Sequence, residues 1–154
     1  METGNLRIDA QAAFARERRR RRLDHAAGWL LRRPPERRRL ASLDQVAGGA
    51  PPAVRRVRGL QSIPLESIVG TTEPAKASAF DHRFRAPETS RGRWERIWEA
   101  GRRAAPLPPI SVFRLGDQHF VDDGHHRVSV AHALGMQAID AEVTELAAGG
   151  GARR

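Results

Sequence analysis

Between residues 60 and 146 the apolar positions alternate between a spacing of two and a spacing near 3.6. Ile63 to Val69 reads as a strand, with Pro64 close to its start, which suits an edge or a first strand position. Thr71 to Pro87 is polar and irregular, yet it carries Phe80 and Phe84. From a cap at Thr89 or Ser90, Trp94, Ile97, Trp98 and Gly101 recur at i, i+3, i+4 and i+7. They predict a helix that Pro106, Pro108 and Pro109 end. Ile110 to Leu115 alternates, Gly116-Asp117 turns, and His119 to Val121 returns, a β-hairpin with Phe113 and Phe120 as core or cross-strand partners. A second helix runs from about His125 to Leu134 and stops at Gly135, and Ile139 to Val143 makes a last strand. The order β-α-β-β-α-β predicts a small α/β (α+β) domain with a mixed sheet over residues 59–146.

The first third reads differently. From about Ile8 to Leu31 no proline occurs, and Ile8, Ala12, Ala15, Leu23, Ala26 and Leu30 fall on one helical face, interrupted by Arg19. Arg18, Arg19, Arg20, Arg21 and Arg22 form an unbroken run that must cover every side of that helix. Pro34-Pro35 stops it, Arg37, Arg38 and Arg39 follow, and Gly48-Gly49-Ala50-Pro51-Pro52 reads as a linker. We therefore expect a basic N-terminal arm over 1–58, a globular unit over 59–146 and a frayed tail over 147–154.

Charge sharpens this division. Residues 1–58 hold fifteen arginines against six acids, whereas basic and acidic groups balance over 59–154, so the whole net charge of +9 sits in the arm. Of the 27 basic residues only Lys76 is a lysine. Cysteine is absent, which excludes disulfides, thiolate zinc sites and thiol nucleophiles. No run of about 18 apolar residues exists to span a membrane. The N-terminus lacks a signal pattern, so the expected location is cytoplasmic.

The chemistry converges on Asp122-Asp123-Gly124-His125-His126-Arg127, where a strand passes into a helix. Unpaired N–H groups and the positive end of the helix dipole stabilise an anion at such a turn. Gly124 lets a ligand approach the backbone, Arg127 offers a planar fork, and His125 and His126 add donors that would become cationic near or below neutral pH. Ser129, one turn on, could touch a phosphate with its hydroxyl. Asp122 and Asp123 suit a phosphate arriving with Mg²⁺. A plainer alternative has Asp123 capping the helix and Arg127 paired with an aspartate. A transition-metal site built from Asp122, Asp123, His119, His125 and His126 is disfavoured, because no two histidines stand at i, i+4.

These residues resemble the ParB/sulfiredoxin superfamily. The similarity covers about residues 60–146: an Ile-Pro-Leu-Glu-Ser-Ile strand from Ile63, then Leu107-Pro108-Pro109-Ile110-Ser111-Val112, then Val121 to Ala131 around the glycine turn, closed by Gly135. The resemblance implies a nucleotide phosphate (ATP, ADP or CTP) held at the Gly-x-x-Arg-type turn. Sulfiredoxins carry cysteine directly after the motif glycine; His125 stands there, so sulfinic-acid reduction is excluded. The family's partition-site CTPases carry Gly-Glu-Arg-Arg and further DNA-binding helices, and a complete clamp of that kind is not expected from 154 residues. The Asp-Gly-His-x-Arg form is similar to the family's free serine kinases, which use a glutamate base. Glu73 is the first candidate for that role, with Asp123 beside the turn and Glu66 second.

The combined expectation is a ParB-like nucleotide-phosphate-binding module, associated with DNA or RNA through its arm. A free-serine-type kinase and a non-catalytic DNA-binding scaffold stand as alternatives. For the arm itself, a solvated extension, a nucleic-acid backbone ligand and an anionic membrane surface stay open.

Overall fold

The computed structural model describes residues 2–34, 38–49, 54–103 and 106–147. Residues 148–154 of the expected tail, Arg37 and most of the expected linker lie outside them, and Ala147 ends the last strand. Helix α1 (Leu6–Leu30) opens on Asn5, whose side-chain oxygen accepts from the N–H groups of Arg7 and Ile8. A two-residue strand β1 (Ala41–Ser42) and a single turn α2 (Leu43–Val46) follow. Strand β2 (Val54–Pro64) leads through a 3₁₀ turn into β3 (Ile68–Thr71). Then come α3 (Pro74–Ala79), α4 (Arg91–Arg102), the hairpin β4 (Ile110–Leu115) and β5 (Gln118–Asp123), α5 (His125–Ala133) and β6 (Ala138–Ala147).

The six strands form one mixed sheet in the order β1-β3-β5-β4-β6-β2. β2 pairs antiparallel with β6, and β4 antiparallel with β5. β6 with β4, β5 with β3 and β3 with β1 are parallel. The hairpin, both predicted helices and the last strand lie where the hydrophobic spacing put them, and Phe113 faces Phe120 in register. Gly135 adopts φ +70°, and the N–H groups after α5 turn back to His132 and Ala131, a left-handed stop.

Three expectations need correction. The single strand over Ile63 to Val69 is two strands, because Leu65–Ser67 makes a 3₁₀ turn where Leu65 drops into the core. The boundary near residue 58 falls inside β2, and α1 shares the main core. Phe14 meets the edge of Trp94 at 5.4 Å between centroids, and Ala10, Ala13 and Phe14 are buried with Trp94, Trp98, Val128 and Ala131. The expected apolar stripe on α1 is not the inward one: Ile8, Leu23 and Leu30 are exposed. The inward face continues beyond Phe14 through charged residues that meet partners, which hydropathy does not register. Glu17 and Asp24 on α1, together with Asp81, surround the buried Arg85 guanidinium. Phe80 and Phe84 are buried as well, so the irregular stretch is pinned by its two aromatics. Burial of each is worth about 2 kcal/mol or more.

Candidate functional site

Strands β3 and β5 run side by side in parallel, and their carboxyl ends bring Thr71, Thr72 and Glu73 beside Asp122, Asp123 and Gly124. Gly124 caps α5 in the left-handed region at φ +111°, with no side-chain capping bond. A Cβ there would lie 2.4 Å from Cγ2 of Ile110, so the position excludes side chains by space as well as by φ. The first α5 N–H to find a backbone acceptor is that of Val128, on the Gly124 carbonyl at 3.0 Å. The N–H groups of His125, His126 and Arg127 have none among the described residues, so three aligned donors sit at the positive end of a nine-residue helix.

The two histidines belong to the wall of this turn and are buried. Nε2 of His125 lies 2.7 Å from the Thr71 hydroxyl, which also accepts the Glu73 N–H at 2.9 Å. The Phe80 ring packs against both imidazoles, at 5.7 and 5.1 Å between centroids. Burial, reinforced by the Lys76 charge, lowers each histidine to about 4. They are therefore neutral at neutral pH, not the cationic donors that the sequence suggested.

Arg127 is committed. Its Nη1 donates to the carbonyls of Pro108 at 2.8 Å and Pro109 at 2.6 Å, and its Nη2 to Oδ2 of Asp123 at 3.0 Å. The fork locks the loop before β4 onto the turn and pairs with the aspartate, as the plainer alternative held. The two carboxylates take different partners at the bulge that ends β5. Asp122 accepts from the Thr72 hydroxyl at 2.9 Å, on the β3 side, and Asp123 from Arg127. No group of three or more His, Asp or Glu placed to hold a metal occurs among the described residues.

Ser129 faces the core. Its buried hydroxyl accepts the indole N–H of Trp94 at 2.9 Å, so it does not reach the turn. Glu73 is exposed at the N-cap of α3, next to Thr71 and hence to His125. Glu66 lies before β3, at the far end of the sheet, on a shallow cleft with His132 and Met136 at the other end of α5. Of the two glutamates only Glu73 shares the turn's neighbourhood. Sequence reasoning missed Lys76, on α3, whose charge acts on both histidines. Its signal was being the lone lysine among 27 basic residues.

The arginine run spreads around α1 as its length demanded. Arg18 pairs with Glu88 at 3.1 Å, and Arg20 with Glu17 at 3.1 Å. Arg21 donates to the carbonyls of Arg85 and Ala79, while Arg19 and Arg22 face solvent. Arg38 donates to the Arg33 carbonyl at 2.9 Å, and the backbone of Arg39 makes an isolated antiparallel β-bridge with that of Asp81. Among the described residues, no helix is long and apolar enough to cross a membrane.

Fold and turn together define an α/β protein with a glycine turn at the carboxyl end of two parallel strands, where the first three N–H groups of α5 lack backbone acceptors. No family model matches the chain, and no curated protein matches it. Among solved structures it is similar to a crystal structure of sulfiredoxin from Arabidopsis thaliana. The two are 20 % identical over 55 % of this chain and 82 % of that chain, with a TM-score of 0.40, a likeness of chain path alone.

Proposed function

We propose that the turn at Gly124 binds a phosphate group of a nucleotide. The observation that carries this reading is the trio of N–H groups at His125, His126 and Arg127, which have neither a backbone acceptor nor a side-chain cap behind Gly124, where a Cβ would meet Ile110. Crevices at the carboxyl ends of parallel strands are where open α/β sheets take ligands, and the Lys76 charge acts on the histidines of the same turn. Arg127 acts here as a positioning residue, holding Pro108 and Pro109 in place.

Titration calorimetry with ATP, ADP and CTP in the presence of Mg²⁺ tests it. Binding of at least one nucleotide is expected, weakened about tenfold in Lys76→Gln, the scale of one charged contact. No heat from any of the three overturns it. The location of Glu73 favours one further reading, phosphotransfer with Glu73 as base. In that case Glu73→Gln abolishes product formation from a nucleotide and an alcohol while affinity persists; no product from the unmodified protein rules it out.

A further inference from the structure

A deep cleft lies away from the glycine turn. It has a volume of about 670 Å³ and lies between α1, the residues Arg33, Arg38 and Arg39, and the loop from Ser78 to Arg83. Among the described residues seven arginines line it, against two aspartates, Asp24 and Asp81. Both aspartates are already bound to the guanidinium of Arg85. Those bonds, with Glu17, fasten α1 to the loop and make the walls a fixed part of the fold.

Gly28 sits in the last turns of α1, where a glycine costs about 1 kcal/mol relative to alanine. A Cβ at Gly28 would lie 2.7 Å from Nε of Arg38, so the glycine makes room for that guanidinium in the wall. Nε of Arg38 is buried with no hydrogen-bond partner. Such a donor costs stability unless something occupies the cleft beside it. On the far side Phe80 separates the cleft from His125 and His126, so this is a second site and not an extension of the turn.

We propose that this cleft binds a compact ligand bearing two or three linked phosphates. Volume supports a ligand-sized guest, since small-molecule pockets run from about 300 to 1,000 Å³. Charge supports several phosphates together, since a terminal phosphate carries about −2 and each further linked one adds about −1, against an excess of five arginines among the described lining residues. Arginine forks match phosphate oxygens two at a time. A cleft of this size suits a short anion, whereas a nucleic-acid duplex lies along an extended surface.

The test uses the full chain, sodium triphosphate as the probe and low salt. Calorimetry is expected to show one saturable site. Arg22, Arg39 and Arg83 are exposed, so Arg22→Gln/Arg39→Gln/Arg83→Gln keeps the fold, and the triple variant is expected to bind about tenfold or more weakly. Hydrogen exchange is expected to show protection over residues 18–28 and 78–83. No binding, unchanged affinity in the triple variant, or protection confined to residues 124–128 overturns the proposal. So does a single-stranded oligonucleotide that binds more tightly than triphosphate through the same arginines, an outcome that reassigns the cleft to a nucleic-acid backbone. Because ATP, ADP and CTP carry such linked phosphates, the two sites are separated by the variants: nucleotide heat lost in Lys76→Gln but kept in the triple arginine variant belongs to the Gly124 turn, and the reverse belongs to the cleft.

Discussion

The hydroxyl of Thr71 lies 2.7 Å from Nε2 of His125, tying the end of one parallel strand to the first residue of the helix that follows its neighbour. The contact is buried, and it holds an imidazole inside the protein at the mouth of the turn. Whatever binds at Gly124 meets backbone N–H groups, with the histidines behind them as neutral packing.

That arrangement fixes a pH dependence. A histidine lowered to about 4 in the folded chain and near 6.5 in the unfolded chain gives stability that is complete above pH 6.5. The stability falls as pH drops toward 4, because only the unfolded chain takes up protons in that window. The melting temperature is expected to fall by about 3 °C or more between pH 6.5 and 4.5. The ring protons of His125 and His126 should show no titration step between pH 5.5 and 7.5 by NMR. A step near pH 6.5 contradicts their burial. Asp24, held below its usual range chiefly by its hydrogen bond from Arg85, contributes only at lower pH.

Ser129→Ala leaves the buried Trp94 indole N–H without its acceptor. The expected cost is about 1–3 kcal/mol in urea unfolding, with nucleotide affinity unchanged. A loss of affinity at full stability would return Ser129 to the binding site.

Arg85 joins Glu17 and Asp24 of α1 to Asp81 from a nearly buried position. Arg85→Gln is expected to cost on the order of 3 kcal/mol and to loosen α1, seen as faster amide exchange over residues 17–28. Protection unchanged across that stretch would mean that Phe14 and Trp94 alone hold the helix.

Much of the domain was legible because its elements are locally consistent. Trp94, Ile97 and Trp98 mark α4, the alternation about Gly116 marks the hairpin, and Gly124 and Gly135 bracket α5. The inward face of α1 was not legible. Past Phe14 it is made of Glu17, Arg21 and Asp24, which are stabilised by partners some sixty residues away, and no periodicity of apolar residues records that. At the site, Gly124 stood out from its spacing, but the tasks of Ser129 and Arg127 depended on Trp94 and on Pro108 and Pro109, contacts that spacing does not reveal. The adjacent aspartates suggested a shared ion, whereas in the fold Asp122 bonds to Thr72 and Asp123 to Arg127.

The most direct test of the phosphate turn observes its three N–H groups. In a ¹⁵N–¹H correlation titration with ATP, ADP or CTP and Mg²⁺, saturable shifts are predicted to be largest at the amides of His125, His126 and Arg127. Nucleotide titrations that leave those three amides unmoved would contradict the account.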